Sequence, residues 1–320
     1  MKGKSELEIA AEKIERIVRR VFPGAKIEAC QKSTAGPTNL SYHLSLANPT
    51  AELTFKVYLL QGPQGQPQKE AYALRRVAQH AGVTTPHLLH YDDSLVTFSK
   101  SYAILTRPSG HILKEILPEM ARGGLETVGY EMGRYLAKLH TIPFARFGEY
   151  FAEDPLASER ERAYTLARVN EGLERCQEDG LLDPGTCREL QRLFEEIDVF
   201  EREEPCFVHG DFHEGNVLVE EGVGGYHVAG FLNFECSSAW SPEWDMTHLF
   251  SRLFDDYPSL QEGFLAGYRA ISPLPEDFWG RLELYQLILY IDSLWQSHRA
   301  GETERTDAYR ERLKRFVESR

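Results

Sequence analysis

The densest polar run in the chain is "HGDFHEGN", residues 209–216, with Phe207 and Val208 before it and "VLVE" after it. It sets Asp211 two residues after His209 and five before Asn216. A carboxylate beside an amide at a loop-to-strand junction suits phosphoryl transfer. Asp211 would orient and deprotonate an attacking hydroxyl, and Asn216 would offer a neutral oxygen to Mg²⁺. Mg²⁺ that bridges nucleotide phosphates takes only one or two protein groups, so a second ligand is expected once the chain returns. It returns in "VAGFLNFE", residues 228–235, at Asn233. Asn is a poor strand former and costly to bury without partners, so an amide there needs something to bind. A different chemistry uses the same run: His209, Asp211 and His213 offer three ligands to a metal hydrolase. No second His/Asp cluster completes that coordination sphere.

These residues need elements to hold them. Apolar residues from Leu7 to Val21 recur at helical spacing and predict a helix over 5–21, ended by "FPG". Strand patterns follow at "KIEAC", "LSYHLSL" and "ELTFKVYLL", the last running over 52–60. A helix carries Glu70 towards Gly82, and further strand pieces lead to a Pro/Gly break at Thr106–Gly110. Beyond the break four helical segments stand out, "ETVGYEMGRYLAKLH", "SERERAYTLARVNEGLERCQ", "GTCRELQRLFEEIDVF" and "EDFWGRLELYQLILYIDSLWQSH". The exception is 206–235, which reads as loop, strand, Gly-rich turn and strand, with "EGVGGY" as a hairpin turn. The expected order is a small β-rich lobe over 1–107, a hinge, and a large helical lobe over 108–320.

Composition narrows the partners. The chain has 320 residues, 42% hydrophobic and 27% charged, which describes a globular protein with a sizeable core. A net charge of −13 argues against nucleic acid and anionic membrane as partners. Residues 151–204 hold 16 acids and 7 arginines, which reads either as a solvated helical surface or as a means of recruiting a cationic ligand. Five cysteines without a C-x-x-C pair predict reduced thiols in a cytoplasmic protein. The N-terminal stretch is too charged for a signal peptide, and no apolar run reaches transmembrane length.

The order of these motifs resembles the aminoglycoside phosphotransferase and choline-kinase-like family, relatives of protein kinases. "HGDFHEGNVLV" followed by "GFLNFE" resembles its His-x-Asp-x-x-x-x-Asn loop and its later metal motif, and "SPEWDMTHLF" supplies the Asp245 that follows. "YLAKLH" (135–140) resembles the helix that leads to the catalytic loop, and "AILTRPSG" (103–110) the hinge. The resemblance implies an α+β, protein-kinase-like two-lobed fold and a transfer from ATP or GTP, with Mg²⁺, to a hydroxyl of a small molecule. It implies that Lys56 is pinned by Glu70 against the phosphates, and that the loop "STAGPTN" covers them through Ser33, Thr34 and Gly36. The backbone at Leu105–Arg107 would receive the nucleobase, His209 would brace the catalytic loop, and Asp245 would hold it through backbone N–H groups. The family's pattern has Asp where this chain has Asn233, so the site lacks one anionic ligand. That loss implies weaker metal binding and slower transfer, or a nucleotide-binding pseudokinase acting as an interaction module.

The acidic stretch favours a cationic acceptor of aminoglycoside type and hence an antibiotic-resistance role. Glu235 and Asp292 are the acids assigned to its ammonium groups, although a solvent-facing position is the simpler reading of Asp292. Lys56 alone would also fit a strand edge with its stem on the surface.

Overall fold

Along residues 39–48 every second side chain points inward, and Leu40, Tyr42, Leu44 and Leu46 are buried. That period of two makes a strand with one face on a core. The computed structural model describes residues 9–33, 39–59, 66–80, 82–149, 156–197, 199–202 and 204–318. Helix α1 (Ala11–Val21) precedes strands β1 (Lys26–Lys32), β2 (Asn39–Asn48) and β3 (Thr50–Tyr58). Residues 5–8 of the expected first helix lie outside the described residues. Helix α2 (Gln66–His80) comes next, then β4 (Leu88–Asp92) and β5 (Tyr102–Thr106). The strands form one antiparallel sheet in the order β1-β2-β3-β5-β4. Ile14, Ile17 and Val18 of α1 share a core with Leu44, Phe55 and Ile104 of the sheet.

After the Pro/Gly break the chain builds a larger, mainly helical lobe. Its first elements are β6 (His111–Ile112), α3 (Leu113–Ile116), α4 (Arg122–Leu139), α5 (Glu161–Glu178) and α6 (Pro184–Glu196). Four strands follow: β7 (Cys206–Val208), β8 (Val217–Gly222), β9 (Gly225–Phe231) and β10 (Ser238–Trp240). The chain then runs through α7 (Glu243–His248), α8 (Phe254–Asp256), α9 (Pro258–Arg269), α10 (Phe278–Ala300) and α11 (Thr303–Glu318). Gly222 faces Gly225 across the β8–β9 hairpin, so Val223 and Gly224 make the turn that the glycine-rich segment predicts. Among the described residues no helix is long and apolar enough to cross a membrane. All five cysteines are free.

Two differences from the sequence reading matter for the site. The strand expected through "VAGFLNFE" stops at Phe231. Asn233 has φ 64° and ψ 65°, a left-handed conformation that ends any ladder, and it opens a 3₁₀ turn over Phe234–Cys236. Helix α9 is the second, because it is not among the four segments that stand out as helical, and it carries glycines at 263 and 267. They form a contact surface. Gly129 and Gly133 of α4 face Gly263 and Gly267 of α9, and a Cβ at any of the four would run into the other helix's backbone. The two helices touch main chain to main chain.

One hydrophobic core crosses between the lobes: Tyr58, Leu74, Val77 and Leu105 continue into Leu136, Phe212 and Phe231. A second core, with Phe194, Phe200, Trp240 and Tyr285, lies behind it. There the buried Arg281 bonds Glu161 at 2.5 Å and Glu243 at 3.0 Å, which satisfies both acids. Other acids of the 151–204 stretch, Glu171, Glu174 and Glu178, are exposed on α5 and form a solvated face.

The glycine contact yields a paired test. Gly133→Ala should destabilise the protein by about 1–3 kcal/mol through overpacking. Gly123→Ala, in the first turn of the same helix, meets nothing within 4 Å and should be neutral or stabilising. Urea unfolding of the two variants side by side measures the difference.

Candidate active site

Strand β7 is buried and apolar, and it delivers the chain to His209 with little freedom. Asp245 on α7 then fixes the loop. Its two oxygens accept the backbone N–H groups of His209 and Gly210, each at 2.7 Å, and one also bonds His140 Nε2 at 3.0 Å. His140 Nδ1 bonds the Tyr268 hydroxyl at 2.8 Å, so α4, α7 and α9 all converge on this carboxylate. Gly210 has φ +81°, and a Cβ there would run into the carbonyl of Cys236, so only glycine fits.

The imidazole of His209 is fully buried. Its Nδ1 accepts the Asp211 N–H at 3.3 Å, and its Nε2 donates to the Leu232 carbonyl at 2.8 Å. Burial holds it neutral by lowering its pKa. With both nitrogens committed to main chain, His209 braces the loop and is not placed as a metal ligand. No group of three or more His, Cys, Asp or Glu among the described residues could hold a metal, so the hydrolase arrangement does not form.

Asp211 sits at the centre. Its Oδ2 accepts from Asn216 Nδ2 at 3.0 Å and from Asn233 Nδ2 at 3.3 Å. The nearest groups to its Oδ1 include His213 Nε2 at 3.7 Å and His248 Nε2 at 4.0 Å. Burial alone would raise its pKa, but the adjacent imidazole of His213, with His248 and His209 behind it, holds it at about 2. The carboxylate is therefore ionised at neutral pH. Asn216 closes a 3₁₀ turn, and its backbone carbonyl accepts the Leu232 N–H at 2.9 Å. That bond and the one from His209 hold Leu232 at both its N–H and its carbonyl, which sets the position of Asn233.

Lys56 reaches the same place from β3. Its ammonium bonds Glu70 at 3.0 and 2.9 Å, Asn233 Oδ1 at 2.8 Å and Glu235 at 2.9 Å. Burial would lower its pKa, but Glu70 and Glu235 outweigh that and raise it. Glu70 also accepts from the Tyr58 hydroxyl at 2.5 Å, and Glu235 from Asn39 Nδ2 at 2.9 Å. Helix α2 is tied to the larger lobe by Lys69–Glu149 at 2.5 Å and by Arg76 over the ring of Phe144.

Lys56, Glu70, Asp211, Asn216, Asn233 and Asp245 are thus joined in one hydrogen-bonded network between the sheet and the 209–216 loop. Two assignments need correction. Glu235 is not an open carboxylate for an ammonium, because it is buried and paired with Lys56. Asp292 lies between Arg168 at 3.2 Å and Arg175 at 3.4 Å, so its charge is already matched. The nucleobase assignment narrows. Leu105 is paired with strands on both sides, and the Arg107 N–H already donates to the Glu52 carbonyl at 3.0 Å. Ser33 closes the first hairpin through its N–H, while Thr34 and Gly36 lie outside the described residues. Asn39, His140 and His248 escaped the sequence reading. Each lies in a segment already singled out, His140 at the end of "YLAKLH", Asn39 at the end of "STAGPTN" and His248 within "SPEWDMTHLF".

The donors suit an ion carried in on phosphates better than a protein cage. Asn216 turns its amide nitrogen to Asp211, which leaves its oxygen as the end able to meet Mg²⁺. The oxygen of Asn233 is shared with Lys56.

The role of Asp245 is open to test. Asp245→Ala would strand the buried N–H of His209, at about 1–3 kcal/mol, and the half-buried N–H of Gly210, at less. The measurement is chemical unfolding, and Asp245→Asn, which keeps one acceptor, should fall between that variant and the native chain.

The sequence matches the model of the phosphotransferase enzyme family over residues 31–285. Among curated proteins none matches it. Solved structures with a similar fold include a thermostable mutant of aminoglycoside phosphotransferase APH(4)-Ia in its apo form, at 16% identity and TM-score 0.69, covering 95% of this chain and 98% of that one. The gentamicin complex of APH(2")-IIa has 17% identity and TM-score 0.70, with 96% of each chain covered. The GDP complex of wild-type aminoglycoside 2'-phosphotransferase-IIIa has 15% identity and TM-score 0.68, covering 96% of this chain and 98% of that one. These likenesses show the kinase-like fold. The family model spans most of the sequence and includes every residue of the cleft, so the chain belongs to the phosphotransferase enzyme family.

Proposed function

We propose that this protein moves the γ-phosphoryl group of ATP or GTP to a hydroxyl of a small cationic molecule, with an aminoglycoside-type acceptor favoured. The nucleotide would lie between a lobe of residues 1–107 and one of residues 108–320. The observation that carries the reading is the ionised Asp211, held by two amides and linked through Asn233 to a lysine that Glu70 fixes. In this reading the acceptor oxygen attacks the γ-phosphorus, the bond from that phosphorus to the β-bridging oxygen breaks, and the hydroxyl proton passes to Asp211 Oδ1. Lys56 steadies the phosphates. Asn216, with the shared oxygen of Asn233, would hold Mg²⁺, which when bound offsets phosphate charge. Most of the rate then comes from positioning and charge neutralisation.

The solved APH(4)-Ia complex with ADP and hygromycin B and the APH(2")-IIIa complex with GDP and kanamycin support a nucleotide and a cationic acceptor. The acceptor's ammonium groups need acids other than Glu235 and Asp292, whose charges are matched. Free cysteines fit a cytoplasmic site of action, and with an aminoglycoside as acceptor the outcome would be antibiotic resistance. A pseudokinase reading is favoured by one feature, the neutral amide at Asn233.

A nucleoside-diphosphate release assay against amine-bearing alcohols, with and without Mg²⁺, decides between them. Turnover of an aminoglycoside supports the proposal; failure on every aminoglycoside removes the resistance role. Asp211→Ala should cut kcat by about 10²–10⁴-fold. The same variant should keep the nucleotide-induced rise in Tm, which Lys56→Met should lose.

A further inference from the structure

The amide of Asn233 is used at both ends. Its Oδ1 accepts from Lys56 Nζ at 2.8 Å, and its Nδ2 donates to Asp211 Oδ2 at 3.3 Å. A carboxylate at this position could keep the first bond but not the second, because it has no proton to give. It would instead set two carboxylate oxygens against each other where Nδ2 now donates. The surroundings make that costly. Among the described residues Lys56 is the one ammonium bonded there, and Glu70, Glu235 and Asp211 already stand around it and its amide partner. A fourth carboxylate at that point requires protonation of one of the pair or a cation between them.

The backbone brings residue 233 to this contact. Leu232 is held by the Asn216 carbonyl at its N–H and by His209 at its carbonyl. Residue 233 follows in the left-handed region, which Asn and Asp both tolerate. An exchange of Asn for Asp therefore changes charge and donor capacity while the main chain stays as it is.

We infer that Asn233 is a positioning residue whose amide links Asp211 to Lys56 without a metal ion, so that base and phosphate lysine are in register before any divalent cation arrives. Dependence on the cation then rests on the Asn216 side of the cleft. The inference builds on the phosphotransferase reading but makes a claim that can be judged without nucleotide.

Thermal melts of the full chain in EDTA and across increasing MgCl₂, with no nucleotide present, are the test. The native protein should shift by no more than about 1 °C. Asn233→Asp should melt several degrees lower in EDTA and recover as Mg²⁺ is added. The reciprocal double variant, Asn233→Asp with Asp211→Asn, restores one donor and one acceptor and should regain the native melt in EDTA. That rescue also decides the case if the single variant fails to fold. A second arm measures binding of a fluorescent non-hydrolysable ATP analogue with Mg²⁺ and with EDTA. The ratio of the two affinities should be at least about tenfold larger for Asn233→Asp than for the native chain. The link is refuted if Asn233→Asp is as stable as the native protein in EDTA and indifferent to Mg²⁺, or if the two affinity ratios agree. If neither protein binds the analogue under any condition, the nucleotide reading fails, and the melts still judge the link.

Discussion

A buried ammonium must be surrounded by acceptors, and the Lys56 ammonium draws its acceptors from widely separated parts of the chain. Glu70 comes from α2, and Asn233 and Glu235 from the turn after β9, while Lys56 itself is brought in by β3. None of these segments could satisfy the charge alone. The ion cluster therefore fixes the orientation of α2, the seating of the sheet and the path of the turn together. Tyr58 and Asn39 add their polar groups to the same carboxylates, so the cluster is bonded outward as well as inward.

The loop that begins at His209 is held by a different kind of constraint. Asp245 gathers two main-chain N–H groups and His140, and His140 reaches Tyr268. That chain of bonds requires α4 and α9 to sit at a fixed separation. Their glycines supply it by letting the backbones meet, which leaves no adjustable side chain between them. The precision of the loop therefore rests on residues with no side chain, well away from the chemistry.

Much of this was legible in the sequence because it depends on order. Asp211 and Asn216 stand out by residue type and spacing, and Lys56, Glu70 and Asp245 by the order that the family resemblance implies. The fold brings all five into one bonded network. The Pro/Gly break marks where the sheet gives way to helices. Asn233 was legible as an anomaly, but its left-handed backbone was not, since an apolar run read as strand conceals a turn. Glu235 and Asp292 were misassigned for one reason: the cations that match them come from distant segments, Lys56 in one case and Arg168 with Arg175 in the other. Helix α9 falls in the region read as mainly helical but not among its clearest segments; its glycines weaken a helix in isolation and serve one where another backbone lies against it.

The left-handed conformation at Asn233 has an evolutionary consequence. It restricts the residues that fit comfortably to glycine, asparagine and aspartate. Within that short menu, asparagine and aspartate codons differ by a single base change. The chain can thus move between a neutral and an anionic residue at this point of its cleft without rebuilding the turn. The fold makes the charge at this position an inherited variable, one that drift or selection can reset in either direction.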